Sequence, residues 1–208
     1  LGLNEKTVEG FAEQTKNPRF SWDSYRRFIQ LFGKVVFGVN DEKFDHVLNS
    51  AKKKQGVTDD SKLNVESLKK IVSEYKKICE KHTKRKFPDT PDEQLVLSIE
   101  AVFKSWMGER AIVYREKNNI TKDIANGTAV NVVTMVFGNR GDDSATGVVF
   151  TRNGSNGKKE IEGEYLINAQ GEDVVAGVRT GKNIDLLKKD MPKSYKELSN
   201  ACTKLEKH

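Results

Sequence analysis

The 208-residue sequence predicts an α+β fold, in which a helical part precedes an antiparallel sheet with flanking helices. Up to about Ile120, apolar residues recur at three- and four-residue steps, which is the period of a helix with one buried face. From Gly127 the period falls to two, which is typical of strands, and short glycine-bearing links join antiparallel neighbours. We therefore expect a helical subdomain at residues 1–90 and a mixed α+β part at residues 91–208.

The helical part carries three amphipathic patterns, and a fourth helix has a distinct start signal. The three patterns occupy residues 25–36, 44–51 and 68–79. At the fourth helix, Thr90 can cap the first turn, Pro91 fits that turn, and Glu93 can close a capping box. Gly108 should interrupt this helix. Its apolar residues are expected to be buried, and they are Leu95, Val96, Ile99, Val102, Phe103 and Trp106.

The second half alternates apolar and polar residues in four segments, which we interpret as strands. They are residues 128–137, 146–152, 160–167 and 174–178. A last amphipathic helix follows, and it carries Tyr195, Leu198, Cys202 and Leu205 on one face.

The net charge of +6 is concentrated in one region. Residues 50–86 contain twelve Lys or Arg against five Asp or Glu. Such a surplus could bind nucleic acid or an anionic surface. Few aromatic residues are interleaved with the basic ones, and no nucleic-acid motif accompanies them. A solvated helical face is the preferred interpretation, and a non-enzymatic basic interaction module stays open as the alternative function.

Two further features bear on the compartment. No apolar run approaches the roughly 20 residues that a membrane-spanning helix needs, and no signal peptide is recognised. Cys79 and Cys202 have no metal-ligand spacing, and both lie on apolar faces of predicted helices. Buried reduced thiols are the preferred interpretation. We therefore expect a cytoplasmic protein that binds neither membrane nor nucleic acid.

The most informative motif is GEYLINAQGEDVVAGVRT at residues 163–180. A strand pattern ends near Gly171, and the carboxylates of Glu172 and Asp173 precede another apolar run. Paired acids between two strands suit a polyphosphate site, because they can hold a metal ion or orient basic side chains. A hairpin turn with solvated charges also accounts for the spacing, and on spacing alone it is the preferred interpretation.

This motif and six other blocks, in the same order, resemble the nucleotide-binding domain of the pyruvate, phosphate dikinase family. The blocks are LGLN at 1–4, NPRF with DSYRRFIQLFG at 17–33, RAIVYR at 110–115, GTAVNV at 127–132, MVFGN at 135–139 and TGVVFTR at 146–152. The resemblance covers essentially the whole chain. It implies part of an N-terminal ATP-grasp domain, in which ATP lies between two α+β lobes.

The resemblance also implies roles for particular residues. The segment around Val132, Met135 and Val136 resembles the strand whose backbone edge holds adenine, and Met135 would contact the ring. Gly147 matches a glycine near the phosphates. Arg27, Glu172 and Asp173 match positions implicated in nucleotide and phosphate binding, with Arg26 as the alternative to Arg27. Two departures are Val133, where glutamine is common in the family, and Ala145, where glycine is common.

The implied reaction interconverts ATP, phosphate and pyruvate with AMP, diphosphate and phosphoenolpyruvate through a phosphohistidine. No catalytic residue of that reaction is expected in this stretch, because His46, His82 and His208 lack the family's Thr-Ser-His context. The ligands of Mg²⁺, the phosphohistidine domain and the pyruvate-binding domain are expected elsewhere in the parent, which the resemblance implies is a homodimer. The isolated chain should therefore be inactive, with ATP and phosphate as ligands of the parent.

Overall fold

The structure is a computed structural model that describes residues 1–175, 177 and 180–207. The chain forms two compact units, residues 1–132 and residues 133–208. The fold is α+β, mostly helical, with a small antiparallel sheet in the second unit. Among the described residues, no helix is both long enough and apolar enough to cross a membrane. The expected division at residue 90 stays a prediction.

The first unit is helical. Its helices are α1 (Glu5–Thr15), α2 (Pro18–Val35), α3 (Asp41–Gln55), α4 (Val65–Thr83), α5 (Pro91–Ser105) and α6 (Glu109–Lys117), with a 3₁₀ turn at Asp60–Lys62. Asparagine side chains cap α1, α2, α3 and α4 by accepting a backbone N–H of the first turn. Each cap satisfies one of the N–H groups that a helix start leaves without an intrahelical partner.

The core of this unit lies among α1, α2, α3 and α4. Tyr25, Phe44 and Tyr75 are fully buried there, and Tyr75 Oη donates to the Phe44 carbonyl over 3.1 Å. At Gly33 a Cβ would lie 2.7 Å from the Phe44 ring and 2.8 Å from Cys79 Sγ, so α2 needs glycine at this crossing. Burial raises the pKa of the Cys79 thiol to about 12. The predicted buried thiols are confirmed, because Cys79 and Cys202 are both buried and free.

Helix α5 starts as predicted but is buried differently. Thr90 Oγ1 accepts the Glu93 N–H over 3.2 Å, Pro91 stands in the first turn, and α6 begins after Gly108. The predicted burial of the apolar stripe is wrong, since Val96 is 54% exposed and Phe103 is 53% exposed. A polar side chain anchors the helix instead. Gln94 is fully buried, accepts the N–H of residue 2 and donates to the carbonyls of residues 3 and 88.

The second unit is built on a three-stranded antiparallel sheet, in the order β1 (Ala145–Phe150), β2 (Glu162–Ile167), β3 (Lys182–Asn183). The register of β1 and β2 is unbroken from Ala145 opposite Ile167 to Phe150 opposite Glu162. The remaining elements are α7 (Gly171–Val175), a 3₁₀ turn (Ile184–Leu186), α8 (Leu187–Asp190) and α9 (Pro192–Leu205). The predicted strands at 146–152 and 160–167 and the last helix are confirmed.

A small core holds α8 and α9 near the sheet. Tyr165, Ile184 and Leu187 are buried together, with Tyr195 and Leu198 packed against them. Tyr165 Oη and Lys182 Nζ both donate to Asp190, over 2.7 and 2.6 Å. These bonds connect β2, β3 and α8.

Two predicted strands are wrong. Residues 128–137 are irregular, because within the described chain no strand pairs with them, and a strand without a partner leaves its N–H and C=O groups unsatisfied. In the segment 174–178, Val174 and Val175 belong to helix α7, and residues 176 and 178 lie outside the described residues. The turn expected at residues 168–173 thus leads into a helix rather than a strand.

Candidate functional site

Helix α2 places a buried ion-pair network around Arg27. Asp23, Arg26 and Arg27 lie within about one turn, so their side chains can meet. Arg26 Nε and Nη2 donate to Asp23 Oδ1 over 2.9 and 2.6 Å. Arg27 Nε donates to Asp23 Oδ2 over 3.3 Å. Asp60, on the 3₁₀ turn, accepts from both guanidinium groups, over 3.0 Å from Arg26 and 3.4 Å from Arg27.

The charges in this network stabilise one another against burial. Burial alone would raise the pKa of the Asp23 carboxyl, but Arg26, Arg27 and Arg19 outweigh it and lower that pKa. Burial likewise disfavours the charged Arg26 guanidinium, but Asp23 and Asp60 together outweigh this effect, and the pKa of Arg26 is raised. Removing one member of a buried ion pair leaves its partner uncompensated and is strongly destabilising. The network therefore has a structural role.

The structure distinguishes the two neighbouring arginines. The Arg26 side chain is 3% exposed and the Arg27 side chain is 12% exposed. Arg26 is held by Asp23 through two nitrogens over 2.9 and 2.6 Å, whereas the bonds from Arg27 to Asp23 and Asp60 are longer, at 3.3 and 3.4 Å. Of the pair, Arg27 is thus the more exposed guanidinium.

Sequence reasoning missed the acidic partners of this network. Asp23 could have been found, because its spacing of three and four residues from the arginines is the spacing of neighbours on a helix. Asp60 could not, because it lies 33 residues from Arg27 and reaches it only through the packing of the helices.

The segment that contains Val132, Met135 and Val136 is exposed. Val132 and Met135 are 66% and 56% exposed, and Val136 is 89% exposed. Residues 128–136 make no described backbone–backbone hydrogen bond, and the structure assigns them no strand. The expected strand edge for an adenine ring is therefore not formed in this chain as described.

Gly147 has a structural explanation within the sheet. It lies in β1 opposite Tyr165, and a Cβ there would come within 2.6 Å of the Glu164 carbonyl oxygen and 3.0 Å of the Tyr165 Cβ. Glycine is needed because β2 fills the space that a side chain would occupy. The unbroken register of β1 and β2 excludes a bulge at this position.

Glu172 and Asp173 lie in the first turn of α7, a short helix that connects β2 to β3, and not in a hairpin turn. Glu172 is exposed and Asp173 is half-buried. Asp173 Oδ2 accepts the Gln170 N–H over 2.9 Å, which ties the carboxylate to the start of the helix. Neither acid is isolated from the rest of the protein, since both make further interactions. The predicted pair of adjacent acids is thus real, but its geometry is helical.

The structure brings the end of the MVFGN block to this turn. The Ala169 N–H donates to the Gly138 carbonyl over 2.9 Å, and Gln170 Nε2 donates to Asn139 Oδ1 over 3.3 Å. The end of the MVFGN block therefore lies beside the acidic turn in the second unit. Arg27 belongs to the first unit.

The acidic turn does not by itself form a metal site. Within the residues that the structure describes, no three His, Cys, Asp or Glu side chains are grouped so that they could hold a metal ion. The two carboxylates can accept hydrogen bonds or orient cations, but the described donors do not fit a complete Mg²⁺ site.

The geometry on its own leaves the ligand open, and comparison with known proteins identifies the family. The family described as pyruvate phosphate dikinase, AMP/ATP-binding domain, matches residues 43–207. The chain belongs to this family. It is 52% identical over 209 residues to pyruvate, phosphate dikinase of Clostridium symbiosum, with all of this chain and 24% of the relative covered.

Other pyruvate, phosphate dikinases are similar to the same extent. The enzyme of Entamoeba histolytica is 49% identical, with 99% of this chain and 24% of the relative covered. The chloroplastic enzyme of Mesembryanthemum crystallinum is 49% identical, with 100% and 22% covered. The chain thus spans about a quarter of the length of these relatives. The resemblance inferred from the seven blocks is confirmed, and the alternative of a basic interaction module gains no support.

Proposed function

We propose that this chain is part of the ATP-binding domain of a pyruvate, phosphate dikinase. The parent would interconvert ATP, phosphate and pyruvate with AMP, diphosphate and phosphoenolpyruvate through a phosphohistidine. The observation that carries the proposal is the match of residues 43–207 to the AMP/ATP-binding domain family, together with about 50% identity to named dikinases along the whole chain. The architecture of the complete domain would be ATP-grasp, and the parent a cytoplasmic homodimer.

Arg27 is the proposed phosphate contact of the first unit. Its guanidinium is held by Asp23 and Asp60, so its orientation is fixed before a ligand arrives. A positioned cation stabilises a polyphosphate without first losing the rotamer freedom of a loose side chain. The exposure of Arg27 relative to Arg26 supports this choice between the two.

Glu172 and Asp173 are the proposed phosphate-side acids of the second unit. Two like-charged carboxylates do not attract a triphosphate, so they would act by orienting basic groups or metal-bound water against it. The Gln170 N–H fixes Asp173 in this position. Mg²⁺ belongs to the proposal for the whole enzyme only, since the described residues do not fit a site for it.

The remaining proposed contacts lie in the segment 132–136 and at Gly147. Met135, with Val132 and Val136, would offer an apolar surface and backbone groups to the adenine ring. They are solvent-exposed in this chain and therefore accessible. A phosphate contact at Gly147 would use the backbone, because β2 already accounts for the missing side chain.

A chimeric enzyme tests this proposal. In it, the 208 residues replace the aligned stretch of the Clostridium symbiosum dikinase, and phosphohistidine formation is measured from labelled ATP and, separately, from labelled phosphoenolpyruvate. We expect both half-reactions in the chimera, and no phosphohistidine when the isolated chain is incubated with Mg²⁺ and ATP. A folded chimera that is labelled by phosphoenolpyruvate but not by ATP would contradict the proposal, as would phosphohistidine on the isolated chain.

A further inference from the structure

Arg19, in the NPRF block near the start of α2, holds the 3₁₀ turn that carries Asp60. Arg19 Nη2 donates to the Asp60 carbonyl over 2.8 Å, and Arg19 Nε donates to the Leu63 carbonyl over 3.0 Å. A guanidinium presents its N–H groups in a rigid, planar fork. The two bonds therefore fix the backbone of the turn relative to α2.

The same turn is also fixed by the core and by α3. The Leu63 N–H donates to the Asp60 carbonyl over 3.1 Å, and Leu63 is fully buried. Gln55, the last residue of α3, donates to the Lys62 carbonyl over 2.9 Å and accepts the Asn64 N–H over 3.0 Å. These contacts leave Asp60 little backbone freedom, although it lies in a link between two helices.

The Asp60 carboxylate bonds to two like-charged side chains. Its Oδ2 accepts from Arg26 Nη2 over 3.0 Å and from Arg27 Nη2 over 3.4 Å. Guanidinium groups this close repel each other, and a shared carboxylate offsets the repulsion. Arg26 has two further bonds to Asp23, of 2.9 and 2.6 Å, whereas the bond from Arg27 to Asp23 is 3.3 Å. Loss of the Asp60 carboxylate should therefore change the orientation of Arg27 more than that of Arg26.

We propose that Arg19 and Asp60 are positioning residues of the ATP half-reaction. Arg19 fixes the turn, and Asp60 on that turn sets the orientation in which the Arg27 guanidinium meets the phosphates. Neither residue needs to contact the nucleotide, since both act through Arg27. This inference rests on the proposed function, because it takes Arg27 to be a phosphate contact.

Removal of the Asp60 charge has two opposing effects on the reaction. A negative charge beside Arg27 weakens the attraction of that arginine for phosphate, so its removal favours ATP binding. This effect is small, because the Asp60 side chain is 28% exposed and water screens its charge. Displacement of a phosphate contact by about 1 Å, in contrast, can reduce the rate about 100-fold. The loss of orientation should therefore dominate, and removal of the carboxylate should slow the reaction.

The chimeric dikinase tests the two residues separately. Asp60→Ala removes the carboxylate and leaves the carbonyl that Arg19 holds, whereas Arg19→Lys keeps the charge and loses the fork that bonds two carbonyls. At saturating ATP, each variant should form phosphohistidine from ATP at least about 10-fold more slowly. Labelling by phosphoenolpyruvate should be unchanged. Asp45→Ala, at an exposed aspartate of α3, is the matched control and should label at the unsubstituted rate. An unchanged or faster rate with ATP in either variant overturns the proposal.

A double variant shows whether Asp60 acts through Arg27. When Arg27→Ala is already present, Asp60→Ala should slow labelling by ATP by less than about 2-fold more, because the side chain that it orients is gone. If Asp60 only stabilises the fold, its loss slows the reaction by the same factor in both backgrounds, and the proposal is overturned. Failure of the proposed function looks different, since Arg27→Ala alone would then have no effect on labelling by ATP.

NMR of the 208-residue chain measures the orientation of Arg27 without ATP. The order parameter of the Arg27 Nε–Hε bond should fall from about 0.85 in the unsubstituted chain to below about 0.6 in Asp60→Ala and in Arg19→Lys. It should not change in Asp45→Ala, and Arg26 should stay rigid in all variants. An Arg27 side chain that remains rigid in Asp60→Ala overturns the proposal, whether or not the chimera is active.

Discussion

Similar apolar residues are buried in helices α2, α3 and α4 and exposed in the segment 128–136. In the helices, Ile29, Phe44 and Ile71 are buried to 1% exposure or less. In the segment, the valines and Met135 face solvent. Both regions have strong periodic patterns. The difference is that a helix satisfies its backbone internally and needs only side-chain contacts, whereas a strand needs another strand.

The largest contrast should come from truncating one apolar side chain in each region. Phe44→Ala removes a fully buried ring from the helical core and should lower the free energy of unfolding by about 3–5 kcal/mol. Val136→Ala removes an exposed side chain and should change it by less than about 0.5 kcal/mol. Urea unfolding of both variants checks this, with Phe44→Leu as a milder substitution if Phe44→Ala does not fold. Similar losses in the two would show that the segment is packed after all.

The second contrast concerns charge in the helical core. The pKa of Asp23 is lowered in the folded state, so the carboxylate contributes stability that is present above the unfolded pKa of about 3.9 and is lost as pH falls through the folded value. Below about pH 4, the free energy of unfolding of the unsubstituted 208-residue chain should therefore decrease more steeply than that of Asp23→Asn. At neutral pH, Asp23→Asn should lose roughly 3 kcal/mol, because Arg26 loses its buried partner charge.

Urea unfolding at pH 3, 4 and 6.5 measures this difference. Glu160→Gln is the control, because Glu160 is an exposed acid in the link between β1 and β2. Its free energy of unfolding should depend on pH in the same way as that of the unsubstituted chain. If the free energies of unfolding of the unsubstituted chain and of Asp23→Asn change in parallel with pH, the ion pair does not stabilise the fold.

The third contrast lies within the sheet. Gly147→Ala places a Cβ 2.6 Å from the Glu164 carbonyl oxygen, and the strands must separate to accept it. We expect a loss of about 1–3 kcal/mol. At Gly154 the nearest atom to a new Cβ is 3.8 Å away, so Gly154→Ala should be nearly neutral. Thermal unfolding of the two variants tests this difference in stability. Equal melting temperatures would contradict the steric explanation for Gly147.

The parts of the molecule that the sequence predicted well are those with local causes. The start of α5 follows from Thr90 and Pro91, and strands β1 and β2 follow from their alternation and the polar link between them. The burial of α5 was not predictable, because it depends on Gln94 meeting the distant backbone of residues 2 and 3. The helical form of residues 171–175 was missed because a short apolar run has no distinguishing period.

The same distinction between local and long-range causes applies to the candidate site. Family resemblance identified Arg27, Glu172 and Asp173 as candidates, but it could not supply the contacts that hold them. Arg27 is oriented by Asp60 from a separate turn, and Asp173 by a backbone N–H three residues earlier. Such contacts arise only when the chain is folded, which is why spacing alone left Arg26 and Arg27 equivalent.

The most direct measurement of the central claim uses Asp173→Asn in the chimeric dikinase. An asparagine oxygen can still accept the Gln170 N–H, so this variant removes the charge and keeps the hydrogen bond at the start of α7. Glu160→Gln is again the exposed control.

Labelling of the phosphohistidine is measured from ATP and from phosphoenolpyruvate, together with the melting temperature. We expect Asp173→Asn to slow labelling by ATP at least about 100-fold, since charge in a phosphoryl-transfer site must be correctly placed. Labelling by phosphoenolpyruvate and the melting temperature should stay close to those of the control. Equal loss of both half-reactions together with a lower melting temperature would contradict the account, because it would mean that Asp173 stabilises the fold and does not serve the ATP site.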